Sequence, residues 1–302
     1  MTRHIELPEC SEEPLAGILN TLRLERLGDN TYRGRNMPQL TGRVYGGQIL
    51  AQATVAAADT VNRGTDPDER LAHSITAAFL RPGDIDTPTE FKVVELNDAR
   101  SFSTRSIQAR QKGVINYTAR ISFQLLQPGP SFGSPMPDAP DPETVPSSVD
   151  FFAQMSNHWG HLMSTTNAID MRHVDGDIYV RPADPASNHT QIWFRTRNRM
   201  PEGSSKLLQR AVLGYSCDQF MLEPVMRNTG IFWGHPAASL ATLDHSIWWH
   251  RNFDVSDWIL ADLESPSAQN GRGLSIAKFF QNGKHIATMS QEGMVRLRSI
   301  KK

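Results

Sequence analysis

The sequence predicts an α+β protein of two tandem repeats, each a curved antiparallel sheet wrapped around a central apolar helix. Three observations predict this fold: a proline-dense segment near the middle of the chain, a helix followed by strand-like runs in each half, and short motifs that recur in both halves. With 302 residues, the chain is long enough for two domains that each bury a core.

The proline-dense segment runs from Pro128 to Ser148 and holds seven prolines. Proline at this density blocks both helices and central strands, so the segment is expected to be an extended linker. We therefore expect an N-terminal domain at 1–127, a linker at 128–148, and a C-terminal domain at 149–302 that carries the catalytic residues.

In the first half, an alanine-rich apolar stretch, Tyr45–Asp59, begins with two glycines and is typical of a buried helix. A short strand is expected before it at Thr31–Gly34. Four strand-like runs follow the helix: His73–Arg81, Glu90–Leu96, Ser101–Arg110 and Val114–Gln124.

The second half repeats this order, with a helix expected at Lys206–Leu222. The strand-like runs after it are Ser239–His250, Trp258–Glu264, Gly273–Gln281 and His285–Arg298. Short strands are expected before it at Ile178–Arg181 and Gln191–Thr196. A further helix, Phe151–Met163, is expected to pack after the linker.

Three short matches support a duplication, with a residue or so of slippage between them. They are His73-Ser-Ile with His245-Ser-Ile, Arg105-Ser-Ile with Leu274-Ser-Ile, and the turn Lys112-Gly113 with Asn282-Gly283. Matches in the same order are typical of two copies of one unit.

Composition narrows the functional class. Basic and acidic residues nearly cancel, 31 against 32, so no global field favours nucleic acid or an anionic membrane. Two cysteines are too few for a disulfide framework. No apolar run approaches a membrane span, and the N-terminus lacks the apolar core of a signal peptide. A cytoplasmic protein is the simplest expectation.

Two polar residues stand out among apolar neighbours. Asp218 falls on the apolar stripe of the second helix, where an unpaired carboxylate would cost several kcal/mol. Gln291 is the one polar side chain in the inward row of the last strand. Each could be a functional group or a structural residue tied to a nearby loop or arginine. Thr242 gives little signal by itself.

The motifs around these residues resemble the TesB-type acyl-CoA thioesterase II family, whose fold is a double hotdog. Three segments resemble the family's C-terminal signatures: Gly214–Asp218, Ala241–His250 and Met289–Arg296. Further matches are Val44–Gln48, His73–Gly83, Ser101–Arg105 and Gln191–Arg195. The similarity covers the chain apart from its first residues and the linker. Cys217 departs from the pattern, since serine is commoner beside the aspartate.

The resemblance implies hydrolysis of medium- to long-chain fatty acyl-CoA by a water held by Asp218, Thr242 and Gln291. Asp218 would act as general base, while the hydroxyl and the carboxamide orient the water. It also implies a homo-oligomer.

Backbone N–H groups at the glycine-rich helix start, Gly46, Gly47 and Gln48, are candidate donors to the oxyanion. Arg43, Arg81, Arg100 and Arg105 are candidates for the phosphates of coenzyme A, although each could equally be a surface ion-pair partner. No metal and no organic cofactor is expected.

By the internal alignment, Asp218 corresponds to about Val55, Thr242 to Arg70 and Gln291 to Ile121. The first half would therefore lack all three polar groups, which predicts one active site per chain, between the halves.

Two alternatives stay open. Asp184 and His189 have the spacing found in hotdog enoyl-CoA hydratases, although no helix is expected to open there. A non-catalytic acyl-CoA binding module is the other.

Asp244-His245-Ser246 cannot form a hydrolase triad, because successive strand residues face opposite sides. His245 is expected to anchor the sheet, as His73 does. His158 and His161 lie one turn apart without an evident third ligand.

Overall fold

In the computed structural model, which describes residue 5 and residues 7–298, twelve strands hydrogen-bond into one antiparallel sheet. The strands are β1 (Glu25–Gly28), β2 (Thr31–Gly34), β3 (Arg70–Phe79), β4 (Thr89–Asp98), β5 (Phe102–Gln111), β6 (Val114–Leu125), β7 (Ile169–His173), β8 (His189–Thr196), β9 (Ala238–Trp249), β10 (Ile259–Gln269), β11 (Arg272–Gln281) and β12 (Lys284–Leu297). The α-helices are α1 (Leu15–Leu22), α2 (Gly46–Val61), α3 (Ser148–Ala153), α4 (His158–Thr166), α5 (Lys206–Cys217) and α6 (Glu223–Thr229).

The order of the strands shows two copies of one arrangement placed back to back. It reads β1-β2-β4-β5-β6-β3 in the first half and β9-β12-β11-β10-β8-β7 in the second. The two copies meet where β3 pairs with β9, with Ile75 opposite Ile247. This is the double hotdog architecture expected from the sequence, in which both halves share one continuous sheet.

The central helices lie in one core that both halves build. In α2 every residue from Gly47 to Thr60 is buried, because the alanine-rich sequence lets strands and helices approach it on all sides. Helix α5 packs beside α2, and Gly214 lies so close to Leu50 that an added Cβ would stand 2.5 Å from its side chain.

The duplication is real, but its register differs from the sequence alignment. The tight turns at Lys112 and Asn282 both have positive φ, and these residues lie 170 positions apart. The same offset relates the β-bulge near Ala72 to the bulge near Thr242. The His-Ser-Ile and Arg/Leu-Ser-Ile matches are therefore coincidental. Buried Arg105 corresponds to buried Ser275, whereas Leu274 points to the other face.

With this register, Thr242 corresponds to Ala72 rather than to Arg70, and Gln291 corresponds to Ile121, as the alignment gave. Both first-half residues are apolar and fully buried. With the corrected register, the first half still lacks counterparts of the Thr242 hydroxyl and the Gln291 carboxamide.

Several expected elements need correction. The helix expected at Lys206–Leu222 ends at Cys217, and a turn leads into α6. The helix expected at Phe151–Met163 is two helices, because the Asn157 side chain accepts the backbone N–H of Gly160 and starts α4 anew. Ile178–Arg181 is not a strand.

Helix α1 and strands β1 and β7 were not anticipated, since each is short and carries no motif.

The proline-rich connector forms neither helix nor strand between 126 and 141, and its second part packs on the sheet. Met136 and Ala139 contact the small cluster around Trp193, whose indole N–H donates to the carbonyl of Pro140 at 2.9 Å. Among the residues described, no helix is long and apolar enough to cross a membrane.

Each central helix is capped by an aspartate from the opposite half. The Asp68 carboxylate accepts the backbone N–H groups of Lys206 (2.9 Å) and Leu207 (3.1 Å) at the start of α5. Asp218 accepts the N–H of Gly47 (2.8 Å) at the start of α2. A negative charge is favoured at both places because helix N-termini present unpaired N–H groups.

Replacing Asp68 with alanine should lower the free energy of unfolding by about 1 kcal/mol, since the start of α5 loses two hydrogen bonds to a carboxylate. Urea titration followed by circular dichroism measures this loss. Glu69→Ala, a change at the exposed neighbour, is the matched control and should be neutral; equal stability of the two variants contradicts the proposed cap.

Candidate active site

Asp218 lies at the end of α5, where it faces the beginning of α2 across the boundary between the halves. Its Oδ2 accepts the N–H of Gly47 at 2.8 Å, and its Oδ1 accepts the hydroxyl of Thr242 at 2.9 Å. The C-terminus of α5 disfavours a carboxylate, whereas the N-terminus of α2 favours it. The contact with α2 therefore supplies the electrostatic compensation that its own helix lacks.

A β-bulge turns Thr242 toward Asp218. On β12, Gln291 and Gly293 share one face, and they pair on β9 with His245 and Thr242. These two residues are three positions apart, so strict alternation would place them on opposite faces. The extra residue of the bulge restores the face, and Thr242 points inward with His245.

Gln291 completes a chain of hydrogen bonds. Its Nε2 donates to Thr242 Oγ1 at 3.0 Å, and Thr242 donates onward to Asp218. Gln291 is buried, and it lies diagonally across the strand pair from Thr242. The structure thus brings together the three side chains that the sequence motifs singled out.

The two glycines that begin α2 are required by close packing. A Cβ on Gly46 would lie 2.6 Å from Asp218 Oδ2, and a Cβ on Gly47 would lie 2.4 Å from the carbonyl oxygen of Tyr215. The N–H of Gly47 is bound to Asp218, which corrects its expected role as a free oxyanion donor.

Gln48 has a structural role through its side chain, which is separate from the backbone N–H expected to act as a donor. Its carboxamide is fully buried, accepts the N–H of Met37 at 2.9 Å and donates to Arg35, Asn36 and Gln52. The side chain therefore ties the preceding loop to α2.

A cavity of about 520 Å³ opens beside the three side chains. Asp218, Thr242 and Gln291 line it from the second half, and Gly46 and Phe79 line it from the first. The site therefore lies at the junction of the two halves.

The candidate arginines fall into two groups. Arg43 and Arg81 are exposed and line this cavity. Arg100 and Arg105 do not line it, which corrects the expectation for both. Arg105 is 2% exposed, donates to Thr60 in the last turn of α2, and pairs with Asp98 at 3.0 Å. It holds the far end of α2, opposite the end that begins with Gly46.

The other motifs weighed in the sequence lie away from this cavity. Asp184 is exposed, no helix follows it, and His189 bonds Asp262 at 2.8 Å on the outside of the sheet. His158 and His161 are exposed on α4. Cys217 is fully buried, and burial raises the pKa of its thiol, so a thiolate is disfavoured there.

A buried polar cluster under α6 was not predicted from the sequence. Glu223 lies within 3.2 Å of His173 and 3.4 Å of Arg227, and it accepts the indole N–H of Trp233 at 3.2 Å. The proximity of His173 and Arg227 lowers the pKa of Glu223 despite its burial. In the sequence, the Glu-x-x-x-Arg spacing of Glu223 and Arg227 could have indicated an ion pair on one helix.

Comparisons with known proteins show the family of the chain. Two family models match the chain: "Acyl-CoA thioesterase N-terminal domain" at residues 35–124 and "Acyl-CoA thioesterase" at residues 157–294. Human acyl-coenzyme A thioesterase 8 is 30% identical, over 93% of this chain and 89% of its own length. The chain belongs to the acyl-CoA thioesterase family.

Within the family, it resembles the TesB-type thioesterase II enzymes. Acyl-CoA thioesterase 2 of Haemophilus influenzae is 29% identical, over 93% of this chain and 98% of its own length. The crystal structure of an acyl-CoA thioesterase II from Mycobacterium marinum superposes with a TM-score of 0.74, 32% identity and coverage of 93% and 99% of the two chains. This thioesterase is therefore a thioester hydrolase of TesB type.

Gly46→Ala should lower kcat about 100-fold, because the added methyl displaces the Asp218 carboxylate from its partners. Hydrolysis is followed by the release of free coenzyme A with a thiol-reactive dye. Gly129→Ala, where an added Cβ meets nothing within 4 Å, is the control. A fully active Gly46→Ala enzyme would contradict the importance of this contact.

Proposed function

We propose that this thioesterase hydrolyses medium- to long-chain fatty acyl-CoA by direct attack of water, with Asp218 as the general base. The observation that carries the proposal is the hydrogen-bond chain from Gln291 through Thr242 to Asp218 at the wall of a cavity. Each carboxylate oxygen keeps acceptor capacity beyond its one protein donor, so a water can bond there.

In the proposed reaction, the water oxygen attacks the thioester carbonyl carbon while its proton passes to Asp218. The tetrahedral intermediate then expels the coenzyme A thiolate, which takes up the proton, and the fatty acid leaves as the free acid. Thr242 and Gln291 hold the carboxylate and the water in place. The burial of Cys217 favours this direct route over a covalent acyl-enzyme on the nearest thiol.

Charge that develops on the carbonyl oxygen needs a donor. We assign this role to the N–H of Gly46, since Gly46 lines the cavity and lies at the positive end of α2. No acceptor within the described part of the chain bonds this N–H. We also propose that Arg43 and Arg81, which line the same cavity, bind the phosphates of coenzyme A.

A second cavity, of about 330 Å³, supports the proposed chain length. It shares Gln39, Tyr45 and Trp233 with the first cavity, so the two adjoin. Asp218 faces the first cavity, and the next residue, Gln219, faces the second. An acyl chain whose carbonyl lies at Asp218 would extend past Tyr45 and Trp233.

The walls of this second cavity suit a hydrocarbon chain. They are mainly aromatic and apolar and come largely from α4 and from neighbouring aromatic residues. The apolar lining includes Phe152, Trp159, Leu162, Met163, Met171, Tyr179 and Tyr215.

Asp218→Asn should abolish hydrolysis, a loss of at least about 1,000-fold in kcat, because the amide cannot accept the proton of the water. The variant should still fold and bind acyl-CoA, which isothermal titration calorimetry measures. Asp244→Asn, on the exposed face of β9, is the matched control and should keep activity. Turnover by Asp218→Asn near that of the unchanged enzyme would refute the assignment.

Met163→Trp should shorten the preferred acyl chain, since the indole is larger than the methionine side chain and fills the second cavity. We expect kcat/KM for palmitoyl-CoA to fall about 10-fold or more while that for butyryl-CoA changes little. Thr165→Trp, exposed on the same helix and not lining the cavity, is the control. An equal loss of kcat/KM for both substrates, or no loss, would show that the acyl chain of the substrate does not occupy this cavity.

A further inference from the structure

Three buried polar side chains form a row across the sheet behind the proposed catalytic groups. Ser275 on β11 lies opposite Gln291 on β12, and Gln291 lies opposite His245 on β9. All three are at most 1% exposed. The row thus begins at Gln291, the last member of the hydrogen-bonded series from Asp218, and lies in the interior of the second half.

Every member of the row has an unsatisfied polar atom. Among the described residues, no hydrogen-bond partner is found for Ser275 Oγ, for Gln291 Oε1, or for either ring nitrogen of His245. Leaving a buried polar group unpaired costs about 1–3 kcal/mol. Four such atoms on directly adjacent residues indicate that a shared water bridges the three side chains.

We propose that His245 is a positioning residue: its ring N–H donates to a bridging water that donates in turn to Gln291 Oε1, and this link fixes which way the Gln291 carboxamide points. The proposal rests on the proposed function, since it concerns the group that holds Thr242. It also replaces the expectation that His245 only anchors the sheet.

The direction of the carboxamide matters because Thr242 has a single hydroxyl proton. When Gln291 Nε2 donates to Thr242, that proton goes to Asp218. If the amide flipped, its oxygen would face Thr242 and compete with Asp218 for the proton. A donor at Gln291 Oε1 removes this competition, because the flipped amide would place its NH₂ group against another donor.

The imidazole of His245 is suited to this task. Burial lowers its pKa, an effect that the nearby charge of Asp218 opposes but does not cancel. The ring is therefore neutral near pH 7 and carries one N–H donor. Ser275 offers a hydroxyl on the opposite side of Gln291 and is the competing candidate for the same donor role.

The test is a double-mutant cycle in the full-length protein with palmitoyl-CoA as substrate. His245→Leu should lower kcat about 10- to 100-fold at unchanged KM, and His245→Asn or His245→Gln, which keep an amide donor, should restore part of it. In a Gln291→Leu background, His245→Leu should have no further effect, because the group it positions is gone.

Four outcomes would overturn the role of His245. They are additive losses in the cycle, a fall in melting temperature at unchanged kcat, failure of both amide variants to restore kcat, and a loss in Ser275→Ala that His245→Leu lacks. If His245→Leu does not fold, the same cycle is run with His245→Phe, which keeps an aromatic ring but has no donor. Full activity of Gln291→Leu itself would instead refute the proposed function of that residue.

Discussion

The site depends on one interaction, the contact between the carboxylate of Asp218 and the first turn of α2. A carboxylate at the C-terminal end of its own helix, next to apolar packing, is unfavourable unless donors meet it. The N–H of Gly47 and the hydroxyl of Thr242 meet it here. Because one donor comes from each half, the carboxylate has its partners only when the two halves are joined.

The junction itself follows from the duplicated fold. Strands β3 and β9 pair in the middle of the sheet and bring the two central helices side by side. The close approach of the helices needs small residues, and Gly46, Gly47 and Gly214 supply them. The two glycines at the start of α2 thus serve mainly packing, and Gly47 also supplies a donor to Asp218.

Much of the fold could be predicted from sequence because helices and strands of this length carry strong periodicity. Asp218 and Gln291 stood out from the apolar pattern, whereas Thr242 was found only through the motifs. The convergence of the three residues could not be derived from the pattern alone. Thr242 faces inward only because of a bulge, which strict alternation does not foresee. Arg105 was misjudged because a buried arginine and a surface arginine look alike in sequence. The coincidental tripeptide matches show that short motifs can give a wrong alignment between two repeats.

The shared sheet also determines what the proline-rich connector contributes. The two copies are held by the β3–β9 ladder and by a core common to both, whereas the connector crosses outside them and is anchored near its end at Pro140. A backbone cut in the exposed stretch around Leu126 would therefore leave two fragments associated like subunits of a heterodimer. The connector therefore raises the effective concentration of each half around the other, while the strands and helices hold the two halves together.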